Sequence, residues 1–111
     1  MTRPLEGIRI ADFSHVMAGP FATHFLSALG ADVVKVEPPG IGDPMRNYGA
    51  DRRYDGMAPG FIAANCGKRS IVLDLKHRDG VEVAKRLIAR SDVVLENFRP
   101  GVMERLGGNF Q

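Results

Sequence analysis

The first 37 residues alternate between a strand pattern and a helix pattern, and this alternation constrains the fold more than any other feature. Residues 7–13 alternate apolar with polar side chains, which is typical of a β-strand. Gly19-Pro20 predicts the start of a helix, because proline suits the first helical position, and Gly30 predicts its end. Residues 31–37 form a second strand pattern. A strand, a helix and a strand within about thirty residues predict a right-handed βαβ unit.

The same alternation continues along the rest of the sequence. Residues 70–75 and 92–98 are rich in β-branched side chains and predict a third and a fourth strand. Residues 79–88 between them have helical periodicity. Four strands alternating with helices predict an α/β fold with a largely parallel sheet and flanking helices.

Residues 38–60 show neither periodicity and are rich in glycine, proline and charged residues. An irregular segment of this length is expected to be functional or disordered rather than a simple connector. Short helices are predicted at 61–64 and 100–105, and the sequence stops soon afterwards. Residues 1–111 are therefore expected to be one domain, the front part of a longer protein.

Several apolar side chains are expected to need partners from outside this sequence. The first predicted helix carries Phe21, Phe25, Ala28 and Leu29 on one face. Exposed aromatic side chains would form an apolar patch and drive association. Packing against the rest of a longer protein, or against a dimer partner, is therefore expected for Phe13, Phe21, Phe25, Phe61 and Phe98.

Composition excludes several classes of protein. The net charge is only +2 and the basic residues are interleaved with acidic ones, which argues against nucleic-acid binding. No apolar run approaches the ~20 residues of a membrane helix. A single cysteine, Cys66, excludes an internal disulfide and predicts a reducing, cytoplasmic compartment. The three histidines lack the spacing of a zinc site, so no metal is expected.

Ligands of open α/β sheets bind at the carboxyl ends of the strands, where helix N-termini present free N–H groups. Three segments occupy such positions, at residues 14–19, 37–40 and 97–101. Glu37 lies where a dinucleotide site would place its ribose-binding acid, but the first turn lacks the G-x-G-x-x-G glycines, which argues against NAD. Anions suit these segments, and positive charge is available from Lys68, Arg69, Lys76 and Arg105.

No set of side chains forms a complete catalytic constellation. His15 is either a general base, a ligand contact or a residue that ties down its own loop. Cys66 has no apparent basic partner and is predicted to serve packing. The Lys68-Arg69 pair is either solvated or a phosphate contact. Structural pairing is expected for the strand carboxylates Asp12, Asp74 and Asp92.

Seven stretches carry a more specific signal when they are taken together. They are residues 4–13 (PLEGIRIADF), 18–20 (AGP), 29–37 (LGADVVKVE), 42–46 (GDPMR), 65–71 (NCGKRSI), 73–76 (LDLK) and 92–101 (DVVLENFRPG). In order and spacing they resemble the family III CoA-transferases, which include carnitine-CoA and α-methylacyl-CoA racemase relatives. The resemblance covers nearly the whole sequence.

The resemblance implies a Rossmann-like N-terminal part of an enzyme that moves CoA between carboxylic acids. In the family, an aspartate carboxylate attacks the acyl-CoA to form a mixed anhydride and CoA thiolate. That aspartate is expected beyond residue 111, so the chain alone is expected to hold no catalytic residue and to be inactive. Coenzyme A and acyl-CoA are implied as substrates rather than as a resident cofactor, and the full-length form as an interlocked homodimer. A racemase of the same family, or a non-catalytic CoA-binding or assembly module, is the alternative.

Eight CoA contacts are implied by matching positions. They are His15, Met17 and Ala18 in the first turn, Leu73 and Lys76 along the adenine and phosphate region, and Asn97, Phe98 and Arg105 among the later contacts. An arginine fork fits phosphate bidentately, so Arg105 is the strongest phosphate candidate. Two positions depart from the family pattern. Pro38 replaces a basic residue of some members, and Met17 replaces the glutamine of the formyl-CoA:oxalate branch, which disfavours that substrate.

Overall fold

Four parallel strands form the sheet in the computed structural model, which describes residues 2–107. The strands are β1 (Arg9–Asp12), β2 (Asp32–Glu37), β3 (Arg69–Val72) and β4 (Val93–Leu95), and they lie in the order β3-β2-β1-β4. The predicted α/β fold with a parallel sheet is confirmed. This order is that of the first four strands of a Rossmann sheet, as the resemblance implied.

The strand order reverses at β1. From β1 the chain moves outward through β2 to β3, and it then crosses back to place β4 on the other side of β1. In register, Ala11 of β1 lies beside Val34 of β2 and Val94 of β4. The carboxyl ends of β1 and β4 therefore border a crevice between connections that run in opposite directions, where open α/β sheets bind ligands.

Helices cover both faces of the sheet. They are α1 (Ala18–Ala28), α2 (Pro59–Asn65), α3 (Arg78–Ala89) and α4 (Val102–Gly107), close to the predicted helices. Successive side chains of a strand point to opposite faces, so the sheet has two separate cores. The core on the α3 side contains Ala11, Phe13, Val36, Leu73 and Ala84, and the core on the α1 side contains Ile10, Ala31 and Val33 with Leu26 packed against them.

The apolar face of α1 points away from the sheet. Phe21 and Phe25 are 45% and 55% exposed, and their rings meet edge to face with centroids 5.0 Å apart. The helix instead buries Gly19, Pro20 and Thr23. Thr23 donates a 2.6 Å hydrogen bond to Asp12 at the end of β1. Because this buried carboxylate needs hydrogen-bond donors, the small, polar face of the helix packs against the sheet instead of the apolar face.

Two of the phenylalanines expected to pack outside the chain are buried within it. Phe13 lies in the core on the α3 side, and Phe61 is buried on α2. The guanidinium of Arg46 lies 4.0 Å from the centroid of the Phe61 ring, a cation–π contact. The expectation was wrong for Phe13 and Phe61, because residues of this chain surround both rings.

The irregular segment 38–60 contains 3-10 turns at Pro44–Asn47 and Arg52–Tyr54 and is anchored to the end of β2. The buried Glu37 carboxylate accepts two hydrogen bonds of 2.7 Å from the guanidinium of Arg46. Burial alone would raise the pKa of Glu37, but these bonds, with others from neighbouring groups, lower it to about 2. The segment is thus held in place by a buried, ionised carboxylate.

We expect the ionised Glu37 carboxylate to make the free energy of unfolding depend on pH in the acid range. Folding lowers the pKa of Glu37 from 4.5 to about 2, so its contribution is full above pH 4.5 and is lost as the pH falls through that window. Urea unfolding at stepped pH measures this loss, with Glu37→Gln as the comparison. The difference in free energy of unfolding between wild type and variant should become smaller from pH 6 to pH 3. The slope should correspond to the uptake of about one proton on unfolding. A difference independent of pH would contradict the assignment.

Candidate functional site

The carboxyl edge of the sheet gathers the connections that follow all four strands. The first turn, residues 14–17, leaves β1, and residues 96–101 leave β4 beside it. Residues 38–39 follow β2, and residues 73–77 follow β3. The segments proposed from the sequence therefore meet at one edge, around the crevice at β1.

A cavity of about 140 Å³ opens at this edge. Four of the eight implied CoA contacts line it, namely His15, Leu73, Lys76 and Phe98. The other lining residues are Phe13, Val36, Glu37, Pro38, Pro39, Asp74 and Leu75. Most of these walls are apolar, and the exposed Lys76 ammonium adds a cation, a combination that suits a flat apolar ring joined to an anionic group.

The His15 ring faces this cavity and is half-buried. It meets the Phe98 ring edge to face, with centroids 5.5 Å apart. Burial lowers the pKa of His15 below its ordinary value, although the Asp43 carboxylate opposes the change. The imidazole is therefore neutral at pH 7, with one nitrogen that donates and one that accepts a hydrogen bond.

Asn97 holds the backbone of His15 from both sides. Its Oδ1 accepts a 3.0 Å hydrogen bond from the His15 N–H, and its Nδ2 donates a 2.9 Å bond to the His15 carbonyl oxygen. The side chain of Asn97 therefore ties down the backbone of the loop at His15. Asn97 itself acts on the first turn, a role that the resemblance did not imply.

The remaining implied contacts are not among the residues that line the cavity. Met17 is the N-cap residue of α1 and Ala18 is its first residue, and both are exposed. Because no side chain caps α1, its first N–H groups suit an anion. Arg105 is exposed on α4, with its Nε 3.4 Å from the carbonyl oxygen of Gly101. Met17 and Ala18 thus belong to the first turn and the start of α1, and Arg105 belongs to α4.

Lys68 and Arg69 do not belong to the site. The Lys68 ammonium is enclosed beneath α1, 3.2 Å from the Asp12 carboxylate and 2.9 Å from the Pro20 carbonyl oxygen. Both predictions for Lys68 were wrong, since it is neither solvated nor able to reach a phosphate. Arg69 pairs with Asp32 at the exposed surface, as in the solvated alternative.

Asp12 is the buried counterpart of Lys68 and supports the first turn from below. Its carboxylate accepts hydrogen bonds from the Ser14 N–H at 2.9 Å, from the Ser14 hydroxyl and from Thr23. Burial alone would raise the pKa of Asp12, but these bonds and Lys68 hold it below its ordinary value. The predicted structural pairing is confirmed for Asp12, and for Asp92, which accepts a bond from the Arg9 N–H.

Cys66 is exposed at the end of α2, so its predicted packing role is wrong. Its carbonyl oxygen, not its sulfur, meets the His24 ring at 3.0 Å. Among residues 2–107, no three His, Cys, Asp or Glu side chains come together as a metal site. No helix in the same range is long and apolar enough to span a membrane.

Seven cavity residues lie outside the eight implied contacts, although the sequence carries a signal for three of them. Pro38 and Pro39 follow β2 directly, and Asp74 follows β3, so all three lie at the carboxyl edge. The position of segment 37–40 at a strand end predicts a ligand site for the segment as a whole, whereas individual residues are predicted only by their match to family contacts. Pro38 lines the cavity where some members are expected to carry a basic side chain.

This chain is similar to known proteins both in sequence and in structure. A formyl-CoA:oxalate CoA-transferase of Bradyrhizobium sp. (strain ORS 278) is 49% identical over 96% of this chain, and a succinyl-CoA--D-citramalate CoA-transferase of Chloroflexus aurantiacus is 45% identical over 95%. The match spans 25% and 26% of those two relatives, so the chain covers about a quarter of their length.

Among solved structures, a CAIB/BAIF family protein from Brucella suis superposes with a TM-score of 0.89 at 39% identity. That match covers 98% of this chain and 29% of the other. The sequence profile described as CoA-transferase family III matches residues 5–111. Since the profile spans nearly the entire sequence, the chain belongs to CoA-transferase family III.

Proposed function

We propose that this chain is the CoA-binding N-terminal portion of an enzyme that transfers CoA between carboxylic acids. The observation that carries the proposal is the cavity at the reversal point of the sheet, where His15, Leu73, Lys76 and Phe98 converge. The two relatives support it, since each is named as a CoA-transferase for a CoA thioester and a carboxylic acid.

The apolar cavity receives the adenine ring, and the positive groups at Lys76, Arg105 and the N-terminus of α1 receive the phosphates. Phe98 and Leu73 provide apolar contact area, and the neutral His15 imidazole offers a hydrogen bond without adding charge. Lys76 and Arg105 neutralise phosphate charge, and the uncapped N-terminus of α1 adds N–H donors. The chain thus fixes the nucleotide end of CoA and directs the thioester outward.

The chemical step is assigned to an aspartate beyond residue 111. Its carboxylate attacks the thioester carbonyl carbon, which forms a mixed anhydride as the CoA thiolate leaves. The thiolate then attacks the aspartyl carbonyl, giving an aspartyl thioester and the free acid. The acceptor carboxylate repeats these steps in reverse, and the aspartate is regenerated.

An interlocked homodimer would cover the exposed aromatic pair Phe21 and Phe25 on α1.

The transferase reading is tested with the full-length protein. Mass spectrometry should show CoA moving from an acyl-CoA to a labelled carboxylic acid. Exchange of the α-proton with deuterium, with the acyl group unchanged, would identify a racemase instead. CoA binding with neither reaction would favour a binding module.

We expect Lys76→Ala and Arg105→Ala each to raise the Kd for CoA about tenfold, because a hydrogen bond to a charged group contributes about 1.5 kcal/mol or more. Calorimetric titration with CoA measures the change. Lys85→Ala, which removes an exposed lysine of α3, is the matched control and should leave the Kd unchanged. An equal change of Kd in all three variants would mean that the loss of one positive charge, rather than a specific contact, weakens binding. An unchanged Kd in Lys76→Ala or in Arg105→Ala would show that the substituted residue does not contact CoA.

A further inference from the structure

Val16 has a backbone conformation that its side chain disfavours. Its φ of 69° lies in the left-handed region, which a β-branched residue rarely adopts. It occupies the middle of the first turn, between the His15 ring and the N-terminus of α1. Conformations of this kind persist only when the surrounding structure imposes them, and they cluster at ligand sites.

The group that holds Val16 is the carboxylate of Asp43. Its two oxygens lie 3.0 and 3.3 Å from the Val16 N–H, and Oδ1 also accepts a 3.0 Å bond from the Met45 N–H. Asp43 is fully buried and pairs at 2.8 Å with the ammonium of Lys35, which is 1% exposed. Lys35 in turn donates a 3.0 Å hydrogen bond to the carbonyl oxygen of Ser14.

Both members of this ion pair therefore hold backbone groups of the first turn. A buried ion pair is weak evidence for stability, because desolvation costs about as much as the attraction returns. Here the carboxylate takes the N–H of Val16 and the ammonium takes the carbonyl oxygen of Ser14. With the Asn97 clamp on His15, three consecutive residues are fixed by side chains from three separate parts of the chain.

We propose that Asp43, oriented by Lys35, is a positioning residue that keeps Val16 left-handed and so sets the first turn for CoA. This inference rests on the proposed CoA site and adds to it a residue that touches no ligand. Without the carboxylate, Val16 relaxes to negative φ. The His15 ring and the N–H groups of α1 then lose their relative placement.

The test combines removal and rescue in the full-length protein. Asp43→Ala should raise the Kd for CoA about tenfold, measured by calorimetry. Adding Val16→Gly should return the Kd to within about threefold of wild type, because glycine adopts positive φ without penalty. Val16→Gly alone should bind as wild type. Val33→Ala, a buried apolar truncation away from the turn, should lower the melting temperature without changing the Kd.

Hydrogen exchange provides a readout that does not depend on CoA. In mass spectrometry, peptides that contain Val16 should exchange at least about tenfold faster in Asp43→Ala than in wild type. If Asp43→Ala does not fold because Lys35 is left unpaired, Lys35→Met/Asp43→Ala removes both charges and takes its place.

The outcomes separate this inference from the proposed function. If the wild-type protein binds no CoA, the proposed function is wrong, and so is the role of Asp43 in CoA binding. Unchanged exchange at Val16 in Asp43→Ala overturns the positioning role even where CoA binds. Weaker binding that Val16→Gly fails to rescue overturns it as well, since a merely structural loss predicts no recovery.

Discussion

Asp12→Ala is expected to lower the free energy of unfolding by about 3–5 kcal/mol, the cost of leaving a buried charge without its partner. The Asp12 side chain is fully buried, and its removal leaves a Lys68 ammonium that is 2% exposed. The Ser14 hydroxyl loses its acceptor at the same time, and Thr23 loses the shortest of its three hydrogen bonds. Urea unfolding followed by circular dichroism measures the loss.

Two further variants make this result specific to the buried charge. Asp92→Ala removes another carboxylate next to a strand, but an exposed one, and should cost about 1 kcal/mol or less. Asp12→Asn/Lys68→Met removes both buried charges and should recover most of the stability. Equal losses in Asp12→Ala and Asp92→Ala would contradict the assignment.

Phe13→Ala should cost about 3–5 kcal/mol and also weaken CoA binding. The ring is 1% exposed, packs in the core on the α3 side and forms part of the cavity wall. Its truncation therefore leaves a void that is continuous with the proposed adenine site. Urea unfolding and calorimetric titration with CoA measure the two effects separately.

The matched control for Phe13→Ala is Tyr48→Ala. Tyr48 is 61% exposed on the irregular segment 38–60, and surface truncations usually change stability by less than about 0.5 kcal/mol. Comparable losses of stability in the two variants would contradict the assignment of the loss to the buried ring. An unchanged Kd for CoA in Phe13→Ala would exclude this ring from the binding site.

Local patterns predict the elements of this fold because their causes are local. Pro20 lies in the first turn of α1, which begins two residues earlier at Ala18, and Gly30 follows the C-cap Leu29. The strands follow from β-branched runs, and the parallel order follows from their alternation with helices. Once strands and helices are placed, the carboxyl edge follows as the position of the ligand site.

Contacts across long sequence separations were beyond such reasoning. Lys68 lies 56 residues from Asp12, and nothing near Lys68 indicates that α1 will enclose its ammonium. The apolar spacing of Phe21 and Phe25 defines a face, but the buried carboxylate of Asp12 decides which face turns inward. The left-handed Val16 carries no signal at all, since valine is an unlikely residue there.

The clamp of Asn97 on His15 joins residues that are 82 positions apart, and this has a consequence for biosynthesis. On the ribosome, β1, α1 and β2 can pair as soon as they emerge, because their contacts are close in sequence. The clamp on His15 must wait until Asn97 has been translated and has returned to the centre of the sheet. A nascent chain can therefore pair β1 with β2 well before its binding site is complete.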